Sequence, residues 1–77
     1  MDNEKKALHI GLRIRAELER QGRTTVWLAN ELGCHRTNIY KIYDKRSLDT
    51  SILFRISQIM GYDFFRLYSE SLKPSQM

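Results

Sequence analysis

Gly33 divides residues 25–44 into two short segments whose apolar positions recur at helical spacing, and this juxtaposition limits the available folds more than any other feature. Before it, Val26, Leu28, Ala29 and Leu32 form an expected inner face. After it, Ile39 and Ile42 stand three apart on the inner side of a segment beginning near His35 or Arg36. Glycine at the junction supplies the positive φ that a sharp helix exit needs. Two helices joined by so tight a turn must cross steeply. Ala29 is small where they approach, Leu28, Leu32, Ile39 and Ile42 fill the angle, and no proline interrupts the unit.

The rest of the chain is punctuated in the same way. Ala7, Ile10, Ile14 and Leu18 follow steps of three and four, which predicts an amphipathic helix ending at Gly22, with Arg13, Arg15, Glu17, Glu19 and Arg20 on its wet side. Thr24 or Thr25 is the expected N-cap of the second helix. Asp49 is the expected cap of a fourth carrying Leu53, Ile56, Ile59 and Met60, and Asp63 of a fifth carrying Phe64, Leu67 and Tyr68. Four glycines and one proline in 77 residues favour a helical bundle over a turn-rich β fold. The expected architecture is all-α, with five short helices in one domain over residues 1–69 and a polar, frayed tail over 70–77.

Charge narrows the function classes. Lys and Arg number 13 against nine Asp and Glu, a net charge of +4. Residues 1–33 carry six of these cations against five anions. Residues 34–55 carry Arg36, Lys41, Lys45, Arg46 and Arg55 against Asp44 and Asp49. The positive charge is therefore concentrated around the third helix, as in a nucleic-acid binder. A single cysteine, Cys34, leaves no partner for an intrachain disulfide and suits a reducing cytosol, where it is expected to act as a small buried hydrophobe. His9 and His35 are too far apart for a helical metal pair, and neither a signal-peptide stretch nor a membrane span is apparent. No paired-carboxylate motif, phosphate-binding glycine loop or nucleophile beside a histidine in a credible cleft points to catalysis. The expectation is a non-enzymatic, cytoplasmic protein without metal, cofactor or small-molecule substrate.

Leu-Ala-Asn-Glu-Leu-Gly-Cys, four variable residues, then Ile-Tyr-Lys-Ile resembles the phage-repressor and Cro family of helix-turn-helix regulators, also called the xenobiotic-response-element family. Ile-Met-Gly-Tyr-Asp-Phe-Phe-Arg-Leu is similar to that family's two closing helices, and the resemblance covers most of residues 8–68. It departs at His35, where the family usually has Ser, and at Tyr43 and Lys45, where it often has Glu and Gly. Leu18 stands where the family commonly has an Arg paired with that Glu, so Leu18 facing Tyr43 would replace an ion pair by apolar packing. Cys34 and Trp27 replace a valine and a normally polar, outward residue.

The resemblance implies a lambda-repressor-like DNA-binding domain with its helix-turn-helix at helices 2 and 3. By position, Arg36, Thr37 and Lys41 are the expected base readers, joined by Tyr40 on the same exposed face, whose plainer alternative is a half-buried rim aromatic. Arg can donate two hydrogen bonds to guanine, Thr can meet the thymine methyl, and Lys can reach guanine or a phosphate. Thr25, with the amides opening the second helix, and Lys45, Arg46 and Ser47 after the third are the expected phosphate contacts. His35 is a candidate cap for the third helix. Trp27 is expected to pack, and a closing-helix aromatic could form a dimer seam. The implied activity is transcriptional regulation, most simply repression, by a homodimer on double-stranded DNA. The competing expectation is a protein-interaction module or antitoxin-like partner of the same fold, anchored by Trp27, Tyr40 and Tyr43.

Overall fold

A computed structural model describes residues 8–72, and among them every regular element is helical: α1 (Ile10–Arg20), α2 (Thr25–Leu32), α3 (Arg36–Tyr43), α4 (Thr50–Met60) and α5 (Phe65–Leu72). None is long and apolar enough to cross a membrane. Ala7, expected on the first helix, lies outside the described residues.

Local chemistry sets most helix ends. The Nδ1 atom of His9 accepts the Leu12 amide at 3.3 Å and opens α1. Thr24, rather than Thr25, caps α2, its hydroxyl accepting the Trp27 amide at 3.0 Å. Gly33 takes φ +72°, which lets the Cys34 amide return to the Ala29 carbonyl at 2.9 Å. Added methyl bulk would strain that left-handed backbone. His35 opens α3, accepting the Thr37 amide at 3.4 Å. Asp63 accepts the Arg66 amide at 3.3 Å and opens α5. Asp49 stands at the start of α4 as expected, yet its carboxylate takes the Ser51 hydroxyl and no helix amide.

One apolar cluster joins the helices: Ile10, Ile14 and Leu18 from α1, Leu28 and Ala29 from α2, Ile39 and Tyr43 from α3, Leu53, Ile56 and Met60 from α4, then Phe64. Each fully buried large aliphatic side chain contributes about 1.5–3 kcal/mol, so a few such positions decide whether so small a domain folds. Phe64 is completely buried but precedes α5, its amide donating to the Ser57 hydroxyl at 3.4 Å. Phe65, Leu67 and Tyr68 of α5 are half-buried, and the helix runs to Leu72, past the boundary expected at residue 69.

Val26 and Glu17 also depart from the sequence expectation. Val26 is 46% exposed, because Leu28 and Ala29 take the inner face of α2 and a residue two before Leu28 points away from it. Glu17, expected in water, is buried. It lies one turn after Ile14 and next to Leu18, on the edge of the core face, and Arg20 and Gln21 cover it. Arg20 donates to both carboxylate oxygens, at 2.9 and 2.5 Å, and Gln21 donates at 2.8 Å. The Arg20 hydrogen bonds hold the Glu17 carboxyl below its ordinary pKa against the opposing effect of burial. Gln21 also donates to the Met60 carbonyl at 3.0 Å, tying the end of α1 to the end of α4.

α1 lies tightly against α3 at Gly11. A Cβ there would overlap the Ile42 and Tyr43 carbonyl oxygens and come within 2.6 Å of the Tyr43 carbonyl carbon. The Ile10 and Gly11 amides donate to the Arg46 and Lys45 carbonyls at 3.1 and 2.9 Å. These bonds fasten the loop after α3 to the first turn of α1.

Candidate functional site

The outer face of α3 follows from how its inner face is filled. Ile39 is fully buried against the rest of the core and Tyr43 nearly so, at 7% exposure, which fixes the rotation of an eight-residue helix. That rotation turns Arg36, Thr37, Tyr40 and Lys41 outward, and all four are exposed. Positions i, i+1, i+4 and i+5 form one stripe along a helix. Tyr40 is 53% exposed, its ring packed edge-to-face on Tyr43 with centroids 5.9 Å apart. Thr37 meets His35 Nδ1 through its hydroxyl at 3.2 Å.

Tyr43 ties three helices together. Its hydroxyl shares a 2.8 Å hydrogen bond with the Thr25 hydroxyl at the start of α2, and the Arg15 guanidinium of α1 lies 5.8 Å from its ring centroid. Leu18 and Tyr43, expected to face each other, are both buried and line one crevice. Burial removes Tyr43 from the set of possible surface anchors.

Charges on α1 and α5 are arranged differently from those on α3 and the loop after it. The ion pairs among the described residues are Arg15–Glu19, Arg20–Glu17 and Arg66–Glu70, all within α1 or α5. Arg36, Lys41, Lys45 and Arg46 have no carboxylate partner among those residues and are exposed, with Asp44 the one acid within residues 36–46. Ser47 is exposed beside them. The exposed Lys45 and Arg46 side chains extend from a backbone whose carbonyls are held by α1, so these cations are presented from a fixed position.

Thr25 and Tyr40 come together in a crevice of about 240 Å³ lined also by Arg15, Leu18, Glu19, Arg23 and Tyr43. Arg36 lines a separate groove with Val26, Ala29, Asn30, Cys34 and His35. Lys45, Arg46 and Ser47 line neither. Trp27 is half-buried against the core, with the Arg23 guanidinium 4.1 Å from its ring centroid. Sequence reasoning did not single out Arg15 or Arg23 as site residues. The available signal was the Arg23-to-Trp27 spacing of four, but a helix start falls between them, so spacing alone did not place them on one face.

No family model matches the sequence, and searches of curated proteins and of solved structures return no match, so the chemistry of this face is read from its own residues.

Proposed function

We propose that this chain is a sequence-specific DNA-binding regulator, a helix-turn-helix protein of the phage-repressor type that lays α3 in the major groove. The observation that carries this reading is the exposed stripe Arg36, Thr37, Tyr40 and Lys41 on a helix whose rotation is locked by Ile39 and Tyr43. A rigid helix presenting a bidentate donor, a methyl-bearing hydroxyl, an aromatic ring and a flexible cation matches what the major groove offers. Each good bidentate contact contributes about 1–3 kcal/mol of discrimination between bases.

Positioning falls to the flanks. Lys45, Arg46 and Ser47 after α3, and the start of α2 at Thr25, are the groups proposed to meet backbone phosphates. The first-turn amides of α2 add the partial positive charge of a helix start. A homodimer would place two copies of α3 about 34–36 Å apart on a palindromic site. Occlusion of a promoter or antitoxin-like autoregulation is the mechanism proposed, in the cytoplasm and without a cofactor or catalysis.

A protein-interaction role on the same face is supported by the exposed Tyr40 ring, but burial of Tyr43 removes one of its three aromatic anchors. A mobility shift of genomic DNA fragments across a salt titration separates the two. DNA binding predicts retardation that weakens by about 0.9 in log K per phosphate contacted for each tenfold rise in salt. No retardation even at low salt would remove the DNA reading.

A further inference from the structure

Beside the stripe on α3, the crevice between the second half of α1, the start of α2 and Tyr40 has its own charge and chemistry. Arg15 and Arg23 stand on its walls against one acid, Glu19, and its floor is the buried pair Leu18 and Tyr43. We propose that this crevice seats a backbone phosphate of the bound duplex, gripped by Arg15 and Arg23, so that the footprint extends from α3 onto α1 and the α1–α2 turn. The proposal rests on the DNA-binding reading and deepens it.

Contiguity is the first support. The crevice shares Tyr40 with the stripe, so a duplex docked on α3 covers it. Availability is the second. The Thr25 and Tyr43 hydroxyls share one hydrogen bond, and the two guanidinium groups are the cations of the crevice that can turn to an anion. Arg15 pairs with Glu19 at 3.6 Å, both side chains more than half exposed, and its guanidinium lies 5.8 Å from the Tyr43 ring centroid. Such a pair contributes about 0–1 kcal/mol and is readily exchanged for a phosphate. Arg23 is pre-positioned by its stacking on Trp27 at 4.1 Å. The buried Leu18 and Tyr43 side chains exclude water on one side, which strengthens charge attraction there.

The test measures binding of the full chain to duplex DNA against salt, for the wild type, the double variant Arg15→Gln with Arg23→Gln, and Arg66→Gln as a control of equal chemistry on α5. Trp27, the one tryptophan, reports occupancy through its emission because Arg23 lies over its ring. The expected result is a log–log slope reduced by about 0.9 in the double variant, with affinity near 0.1 M salt about tenfold lower. Base preference stays the same, and Arg66→Gln matches the wild type. Duplex DNA shifts Trp27 emission, whereas inorganic phosphate at the same ionic strength does not. Arg15→Gln alone leaves the Arg23–Trp27 stack intact and shows a smaller change of the same sign, which covers a double variant that fails to fold. A wild type that binds while both the single and double variants behave like Arg66→Gln overturns the phosphate seat and leaves the DNA reading standing. An emission shift with inorganic phosphate and an unchanged duplex slope also overturns it, in favour of a free-anion site. A wild type that binds no duplex at low salt removes the DNA reading itself, and the seat with it.

Discussion

α3 and α5 are each eight residues long, and they differ in what holds them and in what they leave open. α3 is pinned from behind by Ile39 and Tyr43, and its outer cations Arg36 and Lys41 have no acidic partner among the described residues. α5 has no fully buried side chain, and its one cation, Arg66, is bonded to Glu70 at 3.0 Å. Exposure alone therefore does not distinguish a functional face from a solvated one. Uncompensated charge on a fixed backbone favours a polyanion, because its attraction is not first spent on a neighbour.

The sharpest way to break this contrast is through stability. Ile39→Ala should destabilise the domain by about 2–5 kcal/mol, through lost burial and the cavity left behind, whereas Leu67→Ala on half-buried α5 should cost roughly 1 kcal/mol. Urea unfolding checks both, and equal costs would show that α3 is no better anchored than α5. Gly11→Ala should cost about 3 kcal/mol by driving α1 away from the Ile42 and Tyr43 carbonyls, and thermal unfolding should show a lower midpoint.

Glu17→Ala should cost about 1–2 kcal/mol near neutral pH by removing a buried acceptor of Arg20 and Gln21. The sign of its pH dependence is fixed by the lowered carboxyl pKa. The contribution is fully present above the unfolded-state value near 4.3 and is lost as pH falls through the folded-state value. The gap between wild type and variant should therefore narrow below about pH 4, and unfolding curves at pH 7 and pH 3 measure it. The smallest change in stability, within about 0.5 kcal/mol, should come from Arg36→Ala, which should nonetheless relax base preference at one operator position. Lys45→Ala should instead weaken all duplexes alike and lower the salt slope by about one. Binding to single-base operator variants at two salt concentrations distinguishes these outcomes.

Much of the fold was legible because its determinants are local. Gly33, Thr24 and Asp63 act through their own backbone or the next turn, and Ile10, Ile14 and Leu18 declare a face by spacing alone. Glu17 was misread because a charge beside a core stripe is buried or wet depending on whether Arg20 and Gln21 fold over it, and that choice depends on Met60, distant in sequence. Val26 was misread because an apolar residue at a helix start carries no sign of which side the crossing helix takes. Gly11 passed unnoticed for a related reason. Its need for a missing Cβ comes from α3, and nothing in its own segment announces it. The outward stripe on α3 was legible from periodicity, but the Tyr43–Thr25 bond is a tertiary contact and the Arg23–Trp27 stack crosses a helix start, and neither was.

Selection of preferred duplexes from a pool of random DNA, run in parallel with the full chain and with Arg36→Ala, tests the central claim most directly. The claim predicts that the wild type enriches a defined half-site, repeated as a palindrome about one helical turn apart if a dimer binds, and that the variant enriches the same half-site with one position relaxed. Enrichment no greater than the input pool at low salt, or identical motifs from both proteins, would contradict the assignment of the α3 face as the surface that reads DNA.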